Sequence, residues 1–116
     1  MPVRLFKHEE MSFVHYGGPP GNATISRLVG PESSQTMGAG IAKFDGCSIE
    51  WTVLYDELIV CIEGLFRLRA DHKEHEAGPG DVIWIPENTT VRYEGNDATV
   101  FYALYPANWK KRAGVE

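Results

Sequence analysis

Cysteine is scarce: Cys47 and Cys61 are the only two in 116 residues, and no CxxC or CxxxxC pair exists. A domain of this length needs no disulfide staple, so reduced thiols are expected, Cys61 being core filler inside an apolar strand. Basic charge is also in deficit, with eleven Lys and Arg against sixteen Asp and Glu and a net charge of −5. A phosphate-backbone binder needs a clustered basic face, so nucleic acid is excluded as the leading partner. No apolar run approaches the ~18 residues of a membrane span, and no basic stretch followed by an apolar block opens the chain. The expectation is a cytoplasmic protein with no membrane partner. A second independent core would not fit in 116 residues, and 43% apolar with 23% charged content is globular rather than disordered.

What is present is glycine and proline, twelve and seven of them, punctuating short segments rich in β-branched and aromatic residues. Segments 48–54, 56–62, 65–69, 82–85, 89–94 and 99–105 are each of strand length, and spacing of about 8–12 residues predicts a sandwich or closed barrel. Helix is expected only as a turn near Lys7 to Ser12 and as a tail after Pro106, with Pro106 at the first helical position. Glu63-Gly64 reads as a tight hairpin, and Asp71 to Glu76 as a charged hairpin tip. Leu58 to Ile62 (LIVCI) is apolar at every position. A half-exposed strand would alternate, so this one is expected to be covered on both faces, by the barrel interior and by either the N-terminal segment or a second subunit. A homodimer follows as the expectation. The whole is one all-β domain: residues 1–36 pack on the barrel, 37–105 form it, and 106–116 are a C-terminal helical tail.

Two spacings then resemble the cupin motifs. Glu57, six residues, then Gly64 is similar to the second half of the first motif, and Gly80, five residues, then Pro86 is similar to the second. The resemblance implies a small double-stranded β-helix, or jelly-roll barrel, with a site in its mouth. It also implies metal ligands: two histidines and a glutamate from the first motif, and a third histidine from the second. Here the histidine positions fall on Trp51 and Val53, or on Glu50 and Thr52 under the other spacing, and the third falls on Val91. Only Glu57 survives of the four. One carboxylate opposite a valine does not make a site for iron, manganese, nickel or zinc, so no tightly bound metal is expected.

Trp51-Thr52, Tyr55-Asp56-Glu57, Glu63-Gly64, Gly80-Asp81, Ile85-Pro86 and above all Pro106-Ala107-Asn108-Trp109 resemble the EutQ-type cupins of ethanolamine utilisation, over roughly residues 37–110. That resemblance implies an association with ethanolamine metabolism in bacterial microcompartments and an acetate kinase activity. Against the second stands the residue content. Gly17-Gly18-Pro19-Pro20-Gly21 lacks the Gly-Lys-Ser/Thr ending of a phosphate-cradling loop, and no lysine with metal carboxylates marks a nucleotide-dependent phosphotransferase.

If Glu57 faces inward, as the motif requires, strand alternation puts Tyr55, Ile59 and Cys61 on its face, and Val91 inward brings Thr89 and Tyr93 with it. The candidate catalytic set is Glu57, Tyr55 and Tyr93. The candidate small-molecule pocket adds Glu50, Trp51, Thr52, Val91 and Tyr102. A lone carboxyl among aromatic groups has its pKa raised and suits a general acid or base. The plainer reading gives Glu57 a structural hydrogen bond to Tyr93 or Tyr55, and the tyrosines a packing role. His72 and His75 belong to a solvated hairpin, and nothing places His8 or His15 in the barrel. An acid–base enzyme on a small polar metabolite, a non-catalytic metabolite binder, and a scaffold docking through Trp109-Lys110-Lys111-Arg112 are the three readings in order.

Overall fold

A computed structural model describes residues 2–114. Eight strands form one hydrogen-bonded system: β1 (Val14–His15), β2 (Asn22–Val29), β3 (Gly38–Asp45), β4 (Ser48–Thr52), β5 (Asp56–Ala70), β6 (Lys73–Ala77), β7 (Val82–Ile85) and β8 (Thr90–Tyr105). All pairings are antiparallel. The strand order β1-β2-β3-β8-β5-β6, with β4 on β8 and β7 on β5, is explained by the two long strands. The first half of β5 pairs with β7 and the second half of β8, which in turn pairs with β3. The second half of β5 pairs with β6 and the first half of β8, which pairs with β4. Two layers therefore share two bent strands, and their facing sides close over a core of Phe44, Ile59, Cys61, Phe66, Leu68 and Val100 among others.

The bend corrects two sequence expectations. Glu63-Gly64 is not a hairpin, and the segments on either side of it are one strand. The β5–β8 register shifts between Cys61 and Glu63 and again between Glu63 and Leu65, as bulges do when they turn a strand from one layer into the next. Gly64 carries φ +73°, and a Cβ there would run into the backbone of Asp97. Only glycine combines that dihedral with that approach. Opposite it, segments 89–94 and 99–105 likewise fuse into the single strand β8.

At Asp71-His72 both residues have positive φ, 52° and 62°, the dihedrals of the two-residue turn that joins β5 to β6 as the expected hairpin tip. The N-terminal turn is a 3-10 turn over His8–Glu10. The C-terminal helix, α1 (Trp109–Arg112), is shorter than expected. It begins after Asn108, so Pro106 precedes it rather than opening it, and residues 115–116 of the expected tail lie outside the described residues. No helix among the described residues is long and apolar enough to cross a membrane. Cys47 and Cys61 are free and buried.

The LIVCI run turns one side to the core and the other outward. Glu57, Ile59 and Cys61 point into the core, while Leu58 and Ile62 point outward and are exposed. Among the described residues no N-terminal segment covers them. On the same face Trp84 pairs with Leu58, Val82 and Phe101 pair with Val60, and Tyr105 pairs with Asp56, and all four are exposed. The outer face of the other layer is of opposite character. It carries a charged network of Arg69–Glu94 (3.1 Å), Arg69–Glu74 (3.1 Å) and Arg92–Glu50 (3.2 Å).

Candidate functional site

Between the layers lies a cavity of about 560 Å3 with Glu57 in its wall. The alternation of β5 turns Glu57 inward, and its pairing with Leu104 and Ile85 holds it in mid-sheet, leaving the residue 5% exposed. The Tyr93 hydroxyl donates a 2.8 Å hydrogen bond to Glu57 Oε1, and Tyr93 is itself fixed by stacking on Phe44 at 5.8 Å. Burial pushes the Glu57 carboxyl up to about 7, against the opposing effect of the Tyr93 bond. The phenols respond in the same sense. Burial first, and the Glu57 charge second, drive Tyr55 and Tyr93 far above the ordinary range. Both therefore keep their protons, Tyr93 donating to Glu57 and Tyr55 accepting from the Trp51 indole.

The two alternative histidine spacings are separated by the register. Trp51 pairs with Val91 and Ile49 with Tyr93, so Ile49, Trp51 and Val53 share the inward side. Trp51 lines the cavity, and its indole N–H donates to the Tyr55 hydroxyl at 3.1 Å. Glu50 points to the outer side, reaches only the rim of the cavity and is engaged by Arg92 at 3.2 Å. Thr52 is a correction: it is exposed, bonded to Thr90 at 2.7 Å, and does not line the cavity. Val91 is a second correction. It is fully buried, yet it belongs to the wall of a separate space of about 330 Å3 beside Leu68 and Ile85. Tyr102 lines the Glu57 cavity and is 8% exposed. Burial raises its phenol to about 12, with Arg27 acting in the opposite direction.

The cavity also contains residues that the sequence reading did not select. Tyr16 reaches it from the N-terminal segment and Arg27 from β2. Trp109, which looked like part of a docking tail, packs edge-on against Trp51 at 5.8 Å and tilted against Tyr55 at 5.2 Å, and lines the cavity beside them. The Pro106–Trp109 motif was the available signal for Trp109. Arg27 sits in an ordinary strand pattern that carries no such mark, and Tyr16 follows the short strand β1.

The donor set does not fit a three-histidine metal. Among the described residues no group of three or more His, Cys, Asp or Glu side chains is placed to hold a metal ion, and Glu57 faces phenols and indoles instead of imidazoles. What this arrangement can do is hold a small molecule against a carboxyl that is part protonated near pH 7, with a tyrosine donor fixed beside it.

Comparison with known proteins identifies the family. The model of the family described as ethanolamine utilisation protein EutQ matches residues 2–111. The acetate kinase EutQ of Salmonella typhimurium is 30% identical over 110 residues, 93% of this chain and 48% of that protein. The acetate kinase EutQ of Clostridioides difficile is 28% identical over 89% of this chain and 66% of that protein. The chain thus spans about half to two thirds of the length of these relatives. The crystal structure of a Salmonella ethanolamine utilization protein Q superposes with a TM-score of 0.84 at 26% identity, over 91% of this chain and 88% of that one. An RmlC-like cupin from Shewanella frigidimarina superposes at 0.75 with 15% identity, covering 91% and 93% of the two chains, a likeness of fold alone.

Proposed function

The chain belongs to the ethanolamine utilisation protein EutQ family, and on that premise we propose that it is a cytoplasmic cupin that takes a small polar metabolite into the barrel and exchanges a proton with it through Glu57. The observation that carries this reading is the 2.8 Å Tyr93–Glu57 hydrogen bond inside an aromatic cavity. Desolvation brings the carboxyl to about 7, the range in which an acid–base group is half loaded at working pH. Tyr93 fixes the carboxyl's orientation, Tyr55 and Trp51 form the adjoining wall, and no step is routed through a metal. Replacing Glu57 with Gln keeps the shape and removes the titration. An acid–base enzyme loses turnover by about 100-fold or more while keeping its ligand, whereas a non-catalytic binder changes affinity only. Retained turnover in Glu57→Gln overturns the acid–base assignment.

The activity in the relatives' names, acetate kinase, is the second reading and rests on the 30% identity. Phosphoryl transfer is catalysed by cations placed around the transferred group, and in this cavity Arg27 and Lys110 are the cationic side chains. Acetyl phosphate formation from ATP and acetate by wild type and Arg27→Gln protein tests it, and no acetyl phosphate above an enzyme-free control removes it.

The outer apolar face supports a homodimer. Leu58, Ile62, Val82, Trp84, Phe101 and Tyr105 are exposed on three adjacent strands and present on the order of 500 Å2 of side chain. A standard interface uses roughly 800 Å2 per partner with a polar rim, so this patch has the size of an interface core. A second copy meets it with an identical apolar face, which satisfies the self-complementarity of a two-fold contact.

A further inference from the structure

Arg27 occupies an unusual position. It pairs with Gly40 on β3, Gly40 pairs with Tyr102 on β8, and Tyr102 pairs with Ile59 on β5. These four positions form one inward row across the sheet, adjacent to the row of Glu57, Leu104 and Gly38. Gly40 has no side chain, and a Cβ there would stand 2.7 Å from the Tyr102 hydroxyl oxygen. The Tyr102 ring therefore leans across Gly40 toward the strand that carries Arg27. Strand spacing puts the backbones of Arg27 and Glu57 roughly 14 Å apart along the curved sheet, yet both residues line the same cavity, Arg27 from its solvent-exposed side and Glu57 from its buried wall. They are not an ion pair. Among the described residues Arg27 makes no side-chain hydrogen bond or salt bridge, and the side-chain bond of Glu57 is the one from Tyr93. The other charged groups of the cavity leave Arg27 uncompensated. Glu50 is held by Arg92, Glu32 lies against Gly30, and Lys110 sits over the Trp109 ring at 5.5 Å.

A guanidinium facing a cavity without a carboxylate partner is a ready fork for a carboxylate or phosphate. Resting on the assignment of Glu57 above, we propose that the cavity binds a bifunctional small anion, its carboxylate or phosphate on Arg27 and a hydroxyl or carbonyl at its far end on Glu57 and Tyr93. A ligand that meets both ends must carry its anionic group and its hydroxyl or carbonyl on different carbons, which the single carboxylate of acetate does not provide. Tyr102, leaning across Gly40, lines the path between the two ends. The Arg27 end disfavours an amine, because a guanidinium repels a cation placed against it.

A matched series tests this by calorimetry on the intact chain. 3-Hydroxypropionate is the anion, propane-1,3-diol its neutral counterpart and 3-aminopropan-1-ol the cation. Acetate tests the need for the second group, and glycerol 3-phosphate separates phosphate from carboxylate. The expected result is that 3-hydroxypropionate or glycerol 3-phosphate binds about tenfold or more tightly than the diol, the amine and acetate. Arg27→Gln should abolish that preference and Arg27→Lys should restore part of it. The larger affinity of the two anions identifies the charged group. Equal binding of diol or amine, or an Arg27→Gln protein that binds the anions like wild type, overturns the anion assignment. Acetate binding as tightly as 3-hydroxypropionate overturns the two-ended one. Glu57→Gln separates the two proposals: if it removes no pH dependence of binding, the acid–base reading fails while Arg27 still stands.

Discussion

Replacing Glu57 with Gln should make the protein more stable at pH 8 and hardly alter it at pH 4. The native carboxyl titrates at about 7 instead of 4.5, so between those values the folded chain holds a proton that the unfolded chain has released. Stability falls with pH wherever the native state binds more protons, so the wild type loses stability as pH rises through this window. A displacement of roughly 2.5 pH units, at about 1.36 kcal/mol each, is on the order of 3 kcal/mol. For a domain of this length that corresponds to roughly ten degrees in Tm. Glutamine fills the same space, still accepts from Tyr93 and has no proton to lose, so its own profile lacks this slope. Urea unfolding of both proteins from pH 4 to pH 8.5 gives the difference directly, and the four histidines, common to both, cancel. A wild-type-minus-variant difference that stays flat within about 0.5 kcal/mol across that range refutes the burial argument for Glu57.

Tyr93→Phe removes the bond that opposes desolvation, so the Glu57 titration should move above 7; a carboxyl 13C NMR titration that stays put or moves down contradicts this. Gly64→Ala forces a Cβ at φ +73° against the Asp97 backbone and should cost about 2 kcal/mol or more, read as a fall in urea midpoint, with a change below about 0.5 kcal/mol as the contrary result. Trp84→Glu puts a charge in the middle of the apolar outer face, where Trp84 is 57% exposed. Sedimentation should then show a monomer where the wild type is a dimer, and a wild type that is monomeric at tens of micromolar removes the interface proposal.

The barrel and its carboxylate were legible because both rest on short-range rules. Period-two alternation puts Glu57, Ile59 and Cys61 on one face, and the Glu57–Gly64 and Gly80–Pro86 spacings mark turns that only certain residues tolerate. The bend was misread for a physical reason. A glycine at positive φ has the same local signature in a hairpin and in a bulge, and only the partner strand, here Asn96-Asp97 opposite Leu65 and Gly64, distinguishes them. The spacing ambiguity between Glu50 and Trp51 was likewise a register question, settled by Trp51 pairing with Val91. Val91 shows the limit of a facing argument, since it points inward but lies behind a different wall from Glu57. Arg27 and Tyr16 were invisible because a cavity brings together residues far apart in sequence, and neither stands in a motif. Leu58 and Ile62 illustrate a different failure: an unbroken apolar run states that both faces avoid water without stating what covers the second.

The lack of histidines at the positions of the resembled pattern and the raised pKa of Glu57 are physically connected. In the metal-binding pattern that these spacings resemble, a divalent cation stands beside the glutamate and holds it ionised. Under the spacing that puts Trp51 and Val53 at the first two histidine positions and Val91 at the third, none of the three is a metal ligand, and the Trp51 N–H is spent on Tyr55. The alternation that turns Glu57 inward and its pairing with Leu104 and Ile85 do not depend on a ligand. The carboxyl is therefore still delivered to a dry wall, but without a countercharge, and Tyr93 supplies a single hydrogen bond where a metal would have supplied a full charge. A lone bond does not offset desolvation of a carboxylate, so the proton stays on up to near neutrality. A glutamate that would be a fixed ligand in one member of the superfamily becomes, on the same strand, a group whose proton can leave.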